Sequence, residues 1–547
     1  MKKQITLVLV LLALLLLTPA AFAQGGGDSG TRSVVDSGTC GAQGDNLTWT
    51  LYDDGELVIN GTGDMADYSF WDGNMPPWYS PSEAGNYWSE NAAVITSLVV
   101  EEGVTSLGEW AFHLCTKLTD VSLPHSLREI RRGAFGSCRA LSALNLPEGL
   151  VTICADSFTN TNLREITFPA SLQNCQDWMS GDAVFPSTPL MNIYVAPDSP
   201  YFCSVDGVVF SKDQTTLVMF PTGRTGSYTV PAGVQTIGLK AFDASNLDTV
   251  VLPDSVLTID DSAFMFARIS SCTLPNSVTG IGRGAFGGCD CILSITIPEG
   301  VKSIGFDTFV SCTNLTEIQV AAGNSNYCSI DGCLYSKDQT EFICYPAGKS
   351  GSIIIPDSVS VIGISCFACS QIQSCEIPNS VKEIGYYTFS YCQSLTSVTI
   401  PDSVKEISAY AFDGCYSLTD VYYAGLPAQW ATIRMGEGND PLQQATIHYI
   451  PWPEAQTLVL PAELTELGAE AFAGGAFTYV RLAEHTTAIG SRAFANCAKL
   501  QYIYIPAACT EIAPDAFEGI SDLTILGPAD SAAQRFASAH GLRFLIS

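Results

Sequence analysis

A motif of 22 or 23 residues recurs along most of this 547-residue chain, and that period constrains the fold more than any other feature. The segment 377–400 reads IPNSVKEIGYYTFSYCQSLTSVTI, and 400–423 reads IPDSVKEISAYAFDGCYSLTDVYY. Both fit the template P-x-S-V-x-x-I-x-x-x-[AT]-F-x-x-C-x-x-L-x-x-V. Its phenylalanine stands at 112, 135, 158, 242, 264, 286, 309, 367, 389, 412, 472, 494 and 517. A unit this short cannot bury its own apolar face, so neighbouring units must stack and share one interior.

Within a unit, alternation over Leu395 to Pro401 predicts a short strand. Its apolar residues point inward, Ser397 and Thr399 point to solvent, and Pro401 ends it because proline cannot donate to a ladder. The return segment places Val404, Ile407 and Phe412 between the walls. The expected fold is therefore a mostly β or α/β solenoid. One continuous parallel sheet of short strands runs along it, with irregular or short helical returns.

Twenty cysteines in one chain would ordinarily suggest a disulfide framework, but their positions follow the repeat. Cys115, Cys138, Cys289, Cys312, Cys369, Cys392, Cys415 and Cys497 all stand three residues before the first apolar residue of a strand, and Asn160 occupies the same place in its unit. They are expected to form one interior column of free thiols, small side chains that suit a tight turn. Cys154, Cys175, Cys272, Cys366, Cys375 and Cys509 fall on other apolar or small positions. The Cys366-x-x-Cys369 spacing, with Cys375 and Cys392, lacks a second ligand pair and neighbouring histidines, so the template explains it better than zinc does. Cys333 and Cys344 flank a polar turn outside the template, where a cross-strand disulfide is a candidate.

Three segments interrupt the period. DGVVFSKDQTTLVMFPTG at 206–223 and DGCLYSKDQTEFICYPAG at 331–348 are copies of each other, each read as a hairpin projecting between repeats. The third runs over 424–449 and is read as short helices; bracing is favoured over ligand contact for all three. The expected organisation is a signal peptide over 1–23, a leader over 24–39, an N-terminal β cap over 40–91 and a C-terminal helix-and-strand cap over 527–547. Repeat blocks occupy 92–200, 228–323, 352–423 and 457–526, separated by inserts at 201–227, 324–351 and 424–456.

The compartment follows from the start of the chain. Met1-Lys2-Lys3 is basic, Ile5 to Leu17 is almost wholly aliphatic, and Ala21-Phe22-Ala23 offers small residues for cleavage after Ala23. That apolar run is short for a membrane span, and no later stretch approaches the roughly 18 apolar residues one needs. Composition points to a folded, turn-rich chain: 47% hydrophobic residues, 15% charged, 47 Gly and 28 Pro. With 55 acidic against 25 basic residues the formal charge is -30, which disfavours nucleic acid, and Arg128, Arg131 and Arg132 read as a solvated edge.

These features together resemble the BspA-type leucine-rich-repeat proteins. The resemblance covers nearly all of 47–547, including the LTWTLYDDGELVINGTGDM start, the SKDQT hairpins, the YYAGLPAQWATI segment and the LTILGPADSAAQRFASAHGLRFL end. It implies a secreted or surface-exposed bacterial protein, with some relatives implicated in adhesion to host matrix proteins or other cells.

No metal, cofactor or catalytic set is expected. His113, His125, His448, His485 and His540 lack ligand spacing, and no zincin, P-loop or nucleophile-elbow motif is present. Binding is better supported, because the outward strand positions form a long solvent-facing array. That array is small and polar at Ser294, Thr296, Ser397 and Thr399, then becomes aromatic at Tyr422, Tyr479, Tyr502 and Tyr504, with Asp420 and Arg481 among them. Tyrosines also favour strands for structural reasons, but exposed ones suit protein or glycan contact. The first reading is a monomeric, exported adhesin-like protein that binds an extracellular protein or glycan. A structural envelope protein binding wall polysaccharide is second, and an undetected hydrolase is third.

Overall fold

The computed structural model describes residues 32–70, 72–79, 94–175, 183–425, 427–449, 457–461 and 463–546. The expected signal peptide with its cleavage at Ala23, and the leader as far as 31, lie outside the described residues.

Each repeat forms one coil carrying two strand segments. The longer one, such as Ser397–Ile400, pairs in parallel with Asp420–Tyr423 one coil on, with Ser397 opposite Asp420. The second is two residues long, as in Glu383–Ile384 beside Glu406–Ile407, and makes a separate parallel ladder on the return wall. The chain is thus a parallel β-solenoid with little helix. In place of the expected single continuous sheet there are two ladders, each broken into several sheets. The long ladder lapses even between template coils, as between Ser271–Thr273 and Ser294–Ile297, where side-chain stacking still joins them.

That stacking explains the invariance of the template phenylalanine. Phe242, Phe264 and Phe286 lie nearly parallel, with centroids 4.9 and 5.1 Å apart and interplanar angles of 2° at both steps. Phe112, Phe135 and Phe158 form an equivalent row, as do Phe367, Phe389 and Phe412. The backbone repeats with them: the amide of Phe264 donates to the carbonyl of Ala285, and that of Phe389 to Ala411. Each buried ring contributes roughly 1.5–3 kcal/mol by removal from water.

The other template positions satisfy backbone groups that the tight turns leave unpaired. The serine of P-x-S-V donates to a valine carbonyl one coil back, as Ser255 does to Val234 at 2.7 Å and Ser403 to Val381 at 2.6 Å. Where a cysteine stands three residues after the phenylalanine, its thiol donates to the phenylalanine carbonyl of the preceding coil. Cys138 reaches Phe112 O at 3.1 Å, Cys312 reaches Phe286 O at 3.0 Å and Cys415 reaches Phe389 O at 2.9 Å. Cys289, Cys392 and Cys497 repeat the contact, and Cys115 is fully buried.

Two expected members are not in that column. Asn160 and Cys369 stand two residues after Phe158 and Phe367, in left-handed backbone with φ of 56° and 60°. Their coils are one residue shorter between phenylalanine and strand, so counting back from the strand lands on the wrong residue. Thr161 and Ser370 stand buried at the column position instead; Ser370 Oγ lies 3.4 Å from Cys392 Sγ, and Thr161 donates to Phe158 O of its own coil at 2.9 Å. Of the remaining template cysteines, Cys175, Cys366, Cys375 and Cys509 are buried, while Cys154 and Cys272 are partly exposed.

The interruptions prove to be parts of the solenoid. Phe202–Val205, Val208–Ser211 and Thr216–Met219 form an antiparallel meander whose last strand joins the short ladder in parallel with Thr236–Ile237. Val208, Phe210 and Leu217 are buried, so this element does not project. The copy at Tyr327–Ile330, Cys333–Ser336 and Glu341–Cys344 does the same. Its register sets Cys344 opposite Leu334, leaving Cys333 on the other face, and both are free thiols, so the candidate cross-strand disulfide is not formed.

The segment over 424–449 is likewise a coil. Arg434–Met435 continues the short ladder and Thr446–Tyr449 the long one, with two short helices, Pro427–Trp430 and Asp440–Gln444, between ladder positions. Asn439 closes this coil: its Oδ1 accepts from the Phe412 amide at 2.9 Å, and its Nδ2 donates to Ser408 O at 2.9 Å.

Both ends of the stack are covered. Val34–Gly41, Gly44–Tyr52 and Glu56–Gly61 form an antiparallel meander joined in parallel to Ser97–Val100. Strand structure therefore begins within the segment assigned to the leader. Trp78 lies flat on Phe112, 5.4 Å away at 9°, and its Nε1 donates to Ala111 O, so it heads the phenylalanine row. At the other end, helix Ala532–His540 sets Phe536 against Phe517, and Arg543–Ile546 adds a final parallel strand.

Candidate binding surface

Parallel strands in register put equivalent positions of successive coils directly above one another, about 4.8 Å apart. An aromatic residue repeated at an outward position must therefore stack. Through the middle of the chain the outward residues are mainly small or polar, with Ser294 opposite Glu317 and Thr296 opposite Gln319, while Tyr194, Val251 and Ile354 stand exposed singly. Beyond Ser397 and Thr399 the character changes.

Tyr422 lies opposite His448, with rings stacked at 4.8 Å and 19°. His448 Nε2 is 2.6 Å from Asp420 Oδ1. Hydrogen bonds from Thr419 first, then from His448, hold the Asp420 carboxyl below its ordinary value. Tyr479 stacks on Tyr502 at 5.6 Å and 17°, and the Arg481 guanidinium sits 5.4 Å from the centre of the Tyr504 ring. The Tyr504 hydroxyl donates to Glu484 at 3.0 Å, and burial together with that carboxylate pushes its phenol up. Burial and then Tyr502 raise Tyr479. All four tyrosines and Asp420 are half-buried, while Arg481 is exposed.

The structure does not bring the four tyrosines into one row. Tyr422 and Asp420 belong to the sheet ending at Thr446–Tyr449, whereas Tyr479, Arg481, Tyr502 and Tyr504 belong to the sheet that begins at Thr457–Val459. His448 and Glu484 complete the two groups and were not singled out from sequence. Aligning Thr446-Ile-His-Tyr under Asp420-Val-Tyr-Tyr would have exposed His448, but that requires recognising 424–449 as a coil.

Two of the other histidines are occupied structurally, whereas His125 and His485 are exposed. His113 packs between Phe70 and Trp110, where burial lowers it to about 4, and His540 stacks on Phe536 at 4.0 Å. Among the described residues no group of three His, Cys, Asp or Glu side chains could hold a metal ion, and no helix is long and apolar enough to cross a membrane.

A sequence model of the BspA type leucine rich repeat region, in six copies, matches residues 83–198, 220–337, 343–428 and 452–531. The chain belongs to the BspA-type leucine-rich-repeat family. Solved structures similar to this BspA-type chain include a leucine-rich repeat protein from Eubacterium ventriosum, 21% identical, with a TM-score of 0.40, covering 76% of this chain and 97% of that one. The pneumococcal vaccine antigen PcpA is 16% identical, with a TM-score of 0.36, covering 93% of this chain and 99% of that one. A leucine-rich repeat protein from Bacteroides ovatus is 18% identical, with a TM-score of 0.31, covering 92% and 98%. No curated protein matches this BspA-type sequence.

Proposed function

We propose that this BspA-type solenoid is an exported binding protein that recognises an extracellular protein or glycan through the tyrosine-bearing part of its long ladder. The observation that carries this reading is the stacking of aromatic residues at the outward positions of the last coils, Tyr479 on Tyr502 with Arg481 over Tyr504, where earlier coils carry mainly Ser, Thr, Glu and Gln. Tyrosine and arginine offer large contact area with polar tips and lose little side-chain freedom on binding, the more so when already held by stacking. The basic, aliphatic and small-residue sequence over 1–23 supports export. The Tyr422, His448 and Asp420 group is a second contact of the same kind.

The test compares the full chain with a variant carrying Ser at 422, 479, 502 and 504 on arrays of extracellular matrix proteins and of glycans. The expected result is a protein or glycan signal that falls at least about tenfold in the variant, the scale of losing a single hot-spot contact. Signals equal for both forms would contradict the reading.

A further inference from the structure

A second aromatic surface lies at the corners of the coils around Phe389 and Phe412, on residues separate from the ladder tyrosines. The position two before the core phenylalanine takes left-handed backbone in most coils, as at Ser262 (φ 54°), Gly284 (59°), Asp307 (59°) and Ser365 (54°). Such backbone suits glycine or short polar residues and strains bulky ones. Bulky residues also occupy it, as at Trp110, Lys240 and Arg492, but Tyr387 and Tyr410 fill it in successive coils, with φ of 56° and 59°, and Tyr391 fills the corresponding position after Phe389 at 57°. Their rings do not serve the core: Tyr387 is 43% exposed, Tyr391 52% and neighbouring Tyr386 53%. Several large rings held together in solvent on adjacent coils mark a contact outside the chain.

The rings are also fixed in place. Tyr387 and Tyr410 are parallel, 5.4 Å apart at 7°. Tyr391 lies across Gly414, where a Cβ would meet its ring at 2.7 Å, and Tyr410 lies across Gly438, where a Cβ would meet it at 2.2 Å. Glu437 accepts from the Tyr410 hydroxyl at 2.9 Å, and the Asp413 carboxylate is close enough to act on the same phenol. Aromatic faces beside carboxylates attract cations, and a chain of 55 acidic against 25 basic residues repels anions.

We propose that the corner formed by Tyr387, Tyr391 and Tyr410 with Glu437 docks a lysine- and arginine-rich segment of a partner protein. This surface does not depend on the ladder tyrosines. A fluorescent alternating lysine–alanine peptide, titrated by anisotropy into the full chain at physiological salt, tests it. Tyr387→Gly with Tyr410→Gly relieves the backbone strain, so the fold is expected to remain by circular dichroism while affinity falls about tenfold, the effect of losing two cation–π contacts. Tyr479→Ser with Tyr502→Ser leaves this affinity unchanged, which separates the corner from the ladder surface. Should the double glycine variant lose its fold, Tyr387→Asn with Glu437→Gln makes the same comparison. Equal peptide affinity for the native and corner variants would overturn the proposal, because charge alone would then account for binding. So would a neutral glucan oligosaccharide that binds the native chain and is lost in the corner variant while the peptide is not.

Discussion

Phe264 is held between Phe242 and Phe286 at 4.9 and 5.1 Å, so its ring belongs to two coils besides its own. Phe264→Ala is expected to destabilise by about 3–5 kcal/mol in urea unfolding, the range for a cavity in a packed core; a loss under about 1 kcal/mol would contradict the stack. The thiols beside that row have a pH signature. Burial pushes Cys115 and Cys312 up to about 12, against about 8.5 for an unfolded thiol. A raised folded pKa means the native state holds its proton longer. The resulting stability is complete below about pH 8.5 and is lost as the pH climbs towards 12. Urea midpoints should therefore fall through this window, and fall less in a Cys115→Val, Cys312→Val variant; identical curves would argue against buried thiols. At this scale the sequence revealed the phenylalanine row and most of the column. It misplaced Asn160 and Cys369 because a one-residue shortening after the phenylalanine is invisible when positions are counted only from the following strand.

The caps and irregular coils belong to the scale of elements. Trp78 stacks on Phe112 and hydrogen-bonds Ala111, closing the first coil as the next phenylalanine would. Trp78→Ala should open the N-terminal end without unfolding the rest, since stability in a solenoid is a sum of neighbour terms. Hydrogen exchange would then quicken at Val104–Leu107 and Glu129–Ile130 while Ser294–Ile297 stays protected; uniform quickening would show that the cap does not act locally. The N-terminal hairpin and the C-terminal helix and strand were legible from turn residues and apolar spacing. The meanders and the 424–449 coil were not, because their backbone stays in the ladders while their sequences leave the template. A period search sees only the template, whereas register depends on hydrogen bonds that many sequences can make. The same blindness hid His448, and the corner tyrosines escaped notice because nothing in the spacing reveals left-handed backbone.

Across the whole molecule, period and stacking make one arrangement repeated with local substitutions. The buried residues run through four successive clusters, and the second and third begin within the two meanders. A stack of this kind keeps its interior for support and leaves its surface free to vary, so the ladder positions and the corners can change from coil to coil without disturbing the core. That separation underlies the reading of Tyr479, Tyr502 and the corner group as contacts and of the cysteines as filler. Residue-resolved alkylation of the reduced, native chain, read by peptide mass spectrometry, tests it most directly because the thiols sample the chain from 40 to 509. The account predicts that the partly exposed Cys203, Cys291 and Cys328 are modified first, while Cys138, Cys289, Cys312, Cys392, Cys415 and Cys497 react only after denaturant is added. Native labelling of those six as fast as Cys291 would contradict a shared interior.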